Sequence, residues 1–250
     1  MSKKVFVSGS ITIKKLPNCV ENSISRIKEQ SLEILVGDAD GIDTLIQNYC
    51  KKINYSNVTV YSIYSTPRNK VSQFNTRYIA VETDSKKERE RQREKDRAMT
   101  MDSDYSLVIW DGKSKGSYHN ILRAIENNKK VKVYLHSEKK FLESQKITND
   151  EIEFIYRENN GYTAKEVVEY LNNEGEDYFK QTRAFNKCLM EHGIIKKEDG
   201  VYLPMPKYEE LFIIDKYRGK VKGVKFNNQF INWVEKWVKD IKPPTEISMF

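Results

Sequence analysis

The stretch LEILVGDADGIDTLIQNYC, residues 32–50, decides the fold. An apolar run ends at Gly37, a turn rich in glycine and aspartate follows, and Leu45, Ile46 and Tyr49 then recur at helical spacing. Strand, turn and helix in that order make half of a βαβ unit. Outward from it the rhythm repeats. VFVSGS (5–10) reads as a first strand with its loop, and Pro17 opens a helix to about Gln30 with Val20, Ile24 and Ile27 on one face. NVTVYSI (57–63) supplies a third strand, residues 64–84 a long loop, and DYSLVIWDG (104–112) a buried strand followed by a helix over about 117–128. KVKVYLH (130–136) and EFIYR (153–157) read as further strands, and TAKEVVEYLNN (163–173) as a helix capped by its threonine. The alternation predicts an α/β fold: a Rossmann-like parallel sheet with flanking helices.

A length of 250 residues fits one medium domain plus a small one. NNEGED (172–177) is polar and glycine-containing, and the rhythm changes after it, so the expected domains are 1–173 and 178–250. In the second, a helix ending near Gly193, a small hairpin at DGVYLP (199–204) and an amphipathic helix within FNNQFINWVEKWVKDI predict a small winged-helix-like α+β module, with Trp233 and Trp237 in the core. The tail KPPTEISMF reads as an extended end. SKKERERQREKDR (85–97) reads as a solvated helix whose end turns inward at Ala98, Met99 and Met101.

The net charge of +7 favours anionic partners without choosing among nucleic acid, nucleotides and phosphates. Cys19, Cys50 and Cys188 lie far apart, and His119, His136 and His192 complete no zinc pattern, so neither a metal nor a disulfide framework is expected. Cys19 and Cys50 fall on helices and read as small apolar residues. The start lacks the apolar core of a secretory signal and no stretch approaches a membrane span, which predicts a cytoplasmic protein without a membrane partner.

Three strand-end loops carry the candidate chemistry, because open α/β sheets bind ligands beyond the carboxyl ends of their strands. Ser8, Gly9 and Ser10 offer small side chains, hydroxyls and open amides after strand one. Gly37, Asp38, Ala39, Asp40 and Gly41 follow strand two: the glycines leave room for close approach, and the aspartates either cap the helix or accept from ribose hydroxyls or a base. Asp43, one turn into the helix, reads as a loop stabiliser. Asp111, Gly112, Ser114, Gly116 and Ser117 lie in a loop without the Walker pattern, which argues against an ATPase and suits a phosphate cradle at a helix N-terminus. Arg68 and Asn69, in TPRN, are candidates to clamp phosphate or a base edge. Asp96 either orders neighbouring cations or faces the ligand, Trp110 reads as core, and His119 as structural.

SGS, GDADGID and DGKSKGS, each placed after its strand, resemble the SLOG superfamily, named for SMF/DprA and LOG proteins, over roughly residues 3–136. GDADGID is similar to the GxAxGID turn of the DNA-processing protein A branch. Gly116-Ser117-x-x-Asn120 corresponds to the end of the PGGxGTxxE signature of the phosphoribohydrolase branch, with Asn120 where its glutamate belongs. An amide does not act as a general base, so the resemblance implies binding ahead of hydrolysis. Its leading implication is capture of a nucleotide or nucleotide-derived molecule, of cyclic or ADP-ribose type, with no further cofactor. Cleavage or transfer of an N-glycosidic bond, with Asp38, Asp40 or Asp111 as the acid, is one alternative, and single-stranded DNA binding is another. Residues 178–238 resemble the C-terminal region of phage antirepressor proteins, which implies a phage origin and sequestration of an immune signal in a host cytoplasm. Arg183, Lys187, Lys196 and Lys197 suit a DNA backbone, but interspersed acids favour protein contact or a homo-oligomer equally.

Overall fold

The computed structural model describes residues 2–81, 88–173, 179–217 and 219–241. The chain divides into two compact units, Met1–Glu153 and Phe154–Phe250.

The first unit opens with β1 (Lys4–Gly9), α1 (Asn18–Glu29), β2 (Glu33–Val36), α2 (Ile42–Lys52), β3 (Val58–Ser62) and β4 (Asn75–Tyr78). It continues with α3 (Glu88–Asp102), β5 (Tyr105–Trp110), α4 (Lys115–Glu126), β6 (Lys130–Leu135) and β7 (Lys140–Phe141). The strands form one sheet in the order β4-β3-β2-β1-β5-β6-β7, parallel except for β6 against β7. This is the Rossmann-like α/β arrangement expected from the alternation of strands and helices.

The alternation along β1 explains the two layers. Val5 and Val7 turn to one face, where they join Ile24 of α1 and Ile46 and Cys50 of α2 in the main core. Phe6 turns to the other and packs with Leu35, Tyr61 and Met99 of α3. Each fully buried Val, Leu or Ile contributes about 1.5–3 kcal/mol. From β1 the chain steps outward through β2, β3 and β4, then returns to place β5 on the opposite side of β1. The loops after β1 and β5 therefore part at a switch point, where the sheet geometry leaves a crevice.

Several expectations are corrected. EFIYR belongs not to a strand but to α5 (Asn149–Asn160). Ile152 and Ile155 are buried three residues apart while Phe154 is exposed, a helical period that a short apolar run does not reveal. The loop at 64–84 contains β4, whose four residues are all exposed and carry no apolar alternation; backbone pairing with β3 alone makes it a strand. Cys19 is exposed, unlike Cys50.

The second unit holds α6 (Ala164–Asn173), α7 (Thr182–Glu191), a hairpin of β8 (Ile195–Glu198) and β9 (Val201–Pro204), a second hairpin of β10 (Phe212–Tyr217) and β11 (Lys220–Phe226), and α8 (Asn228–Ile241). It is an α+β unit around an aromatic core, with the Phe226 and Phe230 ring centroids 4.3 Å apart. Thr163 caps α6 as expected: its amide and hydroxyl donate to Glu166, and the Glu166 amide returns to the threonine oxygen. Val167, Val168 and Leu171 of α6 join Phe185 and Leu189 in this core. The division thus falls at Glu153/Phe154, ahead of the compositional change at 172–177, of which residues 174–177 lie outside the described residues. The tail at 242–250 also lies outside them. Among the described residues no helix is long and apolar enough to cross a membrane.

Candidate functional site

The crevice at the switch point is a cleft of about 280 Å³ lined by β1, by the loops after β1, β2, β3 and β5, and by α2, α3 and α4. Its floor is made of hydroxyls. Ser10, Ser114 and Ser117 form a closed cluster, with Oγ–Oγ distances of 2.7 Å (Ser10–Ser114), 2.8 Å (Ser114–Ser117) and 3.4 Å (Ser10–Ser117). Ser114 is the N-cap of α4, but its side chain bonds to the other serines rather than to the helix. The first intrahelical bond runs from the Tyr118 amide to the Ser114 carbonyl, so the amides of Lys115, Gly116 and Ser117 precede it at the positive end of the dipole. Ser8 faces the same cleft. It is 5% exposed, and its hydroxyl has no hydrogen-bond partner among the described residues. A buried hydroxyl left unpaired costs about 1–3 kcal/mol, which a ligand oxygen would recover.

The glycines serve different ends. A Cβ on Gly9 would stand 2.3 Å from the Ile109 carbonyl oxygen, so this residue lets α2 and β5 close over β1. Gly41 has φ of +74°, and a Cβ there would meet the Ile11 backbone at 2.5 Å. Gly37 leaves room for the Asp43 carboxylate and the Lys95 ammonium. Gly112 is buried in the turn after β5. Gly116 faces open space, with nothing among the described residues within 4 Å of an added Cβ.

The aspartates of the second loop divide in a way the sequence did not foresee. Asp38 is wholly buried and saturated. Its Oδ1 accepts from Arg68 Nη2 at 2.8 Å and Lys95 Nζ at 3.2 Å, and its Oδ2 from Ser62 Oγ at 2.8 Å and the Arg68 amide at 3.2 Å. Burial alone would raise its pKa, but the Arg68 hydrogen bond, the Lys95 charge and Ser62 hold it far below the ordinary carboxylate range. It organises the loop and does not line the cleft. Asp40 is exposed and accepts from Asn69 Nδ2 at 3.0 Å; that same amide donates to the Asp38 carbonyl, so Asn69 ties the loop together. Asp111 is also occupied. It accepts from the amides of Lys113 and Ser114 and from Thr12 Oγ1, which outweigh burial and lower its pKa.

The carboxylates that do line the cleft are Asp43 and Asp96. Burial pushes the Asp43 carboxyl up to about 6 against the pull of Lys95, with Asp96 adding to the rise. Asp96 is raised too, again by burial, with Lys95 and Arg123 opposing. Lys95 is 3% exposed, so the charged run is not wholly solvated: one lysine is driven inward because the buried anions around it require a cation. Ala39, Arg68 and Asn120 complete the lining, with the Arg68 side chain 38% exposed. Ile11, at 56% exposure, adds an apolar face that sequence reasoning missed. Its signal was present as a large aliphatic residue directly after SGS. Trp110 is fully buried, as expected for core.

No family model and no curated protein matches the chain. Among solved structures it is similar to the molybdenum cofactor binding protein from the phototrophic bacterium Rippkaea orientalis, with a TM-score of 0.41 and 12% identity over 77% of this chain and 98% of that one. It is also similar to DNA processing protein A from Helicobacter pylori, described for its single-stranded DNA binding mode, with a TM-score of 0.39 and 15% identity over 76% and 81% of the two chains. Such distant likenesses assign neither ligand nor activity.

Proposed function

We propose that the first unit binds a nucleotide or nucleotide-derived molecule, with a phosphate seated on the Ser10–Ser114–Ser117 cluster and the first amides of α4. The observation that carries this reading is the Ser8 hydroxyl, which lines that cleft buried and without a hydrogen-bond partner among the described residues. The dipole of α4 and the Arg68 guanidinium favour an anion, and the exposed Ile11 side chain offers a surface for a base or ribose face. Asp38 and Asn69 support the reading from behind, by fixing the loop rather than touching the ligand. The SLOG and phage antirepressor resemblances extend it: a ligand held without turnover is sequestered, and an immune signal of cyclic or ADP-ribose type is the ligand such a phage protein would capture.

Asp43 and Asp96 favour a second reading, scission of an N-glycosidic bond. A carboxyl with a pKa of about 6 is suited to exchange a proton near neutrality, a task for which Asp38 and Asp111 are too strongly acidic. One experiment separates the two. Protein purified from cells, and protein loaded from a nucleotide panel, is weighed by native mass spectrometry, then denatured and its ligand identified. Stoichiometric release of unaltered nucleotide is expected. Several product molecules per chain, abolished in Asp43→Asn, would establish the enzyme instead, and salt-sensitive retention of oligonucleotide with no mononucleotide would replace both with nucleic-acid binding.

A further inference from the structure

Beyond the serine cluster the cleft continues into a second, of about 380 Å³, between α3 and α4. The two share Ile11, Gln92, Asp96, Gly116 and Asn120 in their linings and so lie side by side. The second is lined by Arg89 and Arg93 from α3 and by His119 and Arg123 from α4.

We infer that this groove receives a second phosphate of the same ligand, so that the ligand is a nucleotide carrying at least two phosphoryl groups. The inference rests on the reading of the serine cluster as the cradle of the first. Arg89 and Arg93 lie one turn apart on α3, and like charges at that spacing disfavour a helix. Among the described residues neither pairs with a carboxylate. By contrast, Arg97 pairs with Glu94 and Arg68 with Asp38 and Glu88. Glu88, at the mouth of the groove, is engaged with Tyr64 and Arg68.

The α4 wall points the same way. Arg123 is half-buried, its guanidinium fixed by the Asn120 side-chain oxygen at 2.8 Å, so it is held in place with little left to lose on binding. The buried Nε2 of His119 has no hydrogen-bond partner among the described residues. Arg89, Arg93 and Arg123 line the groove with this ring, and burial, together with their charges and that of Lys115, pushes its pKa down to about 4. Three arginines, Arg89, Arg93 and Arg123, line the groove against two carboxylates, Asp96 and Glu88, of which Glu88 is engaged with Tyr64 and Arg68, while Glu94 and Glu126 act on Arg123 from outside the lining. A phosphate brings the missing negative charge, and two guanidiniums one helical turn apart match its oxygens.

The test compares AMP, ADP and adenosine 3′,5′-bisphosphate by titration calorimetry, using the full chain as wild type, as the double variant Arg89→Gln/Arg93→Gln and as Ser8→Ala. Wild type is expected to bind ADP or the bisphosphate about tenfold or more tightly than AMP, the preferred one showing where the second phosphate sits. The arginine variant should lose that gain while holding AMP unchanged, and Ser8→Ala should weaken every nucleotide. Arginine-dependent binding of ADP or the bisphosphate that Ser8→Ala leaves intact would remove the cradle from the serine cluster while the groove stands. Equal affinity of wild type for all three nucleotides, no binding of any, or an equal loss of AMP and the two-phosphate ligands in the arginine variant would overturn the inference.

Discussion

Asp43 shows what a site residue asks of the fold. Its carboxyl titrates at about 6 when folded, raised by burial from an ordinary value near 4. Because the folded pKa is raised, the native state is favoured where Asp43 is protonated in both states, and that advantage is lost as pH climbs from about 4 through about 6. Asp43→Asn keeps an acceptor for the Ala39 amide without the charge, while Lys95 keeps Asp38. The variant should be more stable than wild type by about 1–2 kcal/mol at pH 8, with the gap closing toward pH 4.5 in denaturant melts. A gap independent of pH would show that Asp43 is not titrating in this range. Asp38 should behave in the opposite sense: Asp38→Asn leaves Arg68 and Lys95 without their shared anion and should cost about 3–5 kcal/mol. The sequence could not separate these two aspartates, because GDADGID states only that both are near a turn. Burial and the identity of the neighbouring cations divide them, and those cations arrive from residues 68 and 95.

At the scale of elements, the strands and helices that carry apolar periodicity were legible: β1, β2, β3, β5 and β6 fall where VFVSG, LEILV, NVTVYSI, DYSLVIW and KVKVYL place them. Those that rest on backbone pairing or distant partners were not, β4 and the second hairpin among them. Helix α3 is the instructive case. Its charges suggested a solvated helix turning inward only at its C-terminal end, yet it buries Lys95 before that end and presents Arg89 and Arg93 to a groove. Lys95→Met should destabilise the protein by about 3–5 kcal/mol, since buried carboxylates lose their cation, whereas the exposed Lys51→Met should stay within about 0.5 kcal/mol of wild type. Equal effects in chemical denaturation would return α3 to a solvated helix.

For the whole molecule, two cores imply separable failures. Phe230 lies in the aromatic core of the second unit, so Phe230→Ala should cost that unit about 3–5 kcal/mol and leave nucleotide affinity unchanged at temperatures where it remains folded. Loss of affinity in the folded variant would make the second unit part of the binding machinery. The strand-end loops that line the cleft were legible in the sequence because strand ends of a parallel sheet are where crevices form; Ile11 and Asp43 in its lining and the arginines of the neighbouring groove were not, because they depend on which helix faces which. The central claim is that phosphate sits against the first turn of α4, and Gly116 tests it most directly, since it faces open space and has helical backbone. Titration of AMP into Gly116→Val should show affinity reduced about 100-fold or more, with a melting temperature close to wild type because valine is no worse than glycine in a helix. A folded Gly116→Val protein that binds AMP as tightly as wild type would contradict the account.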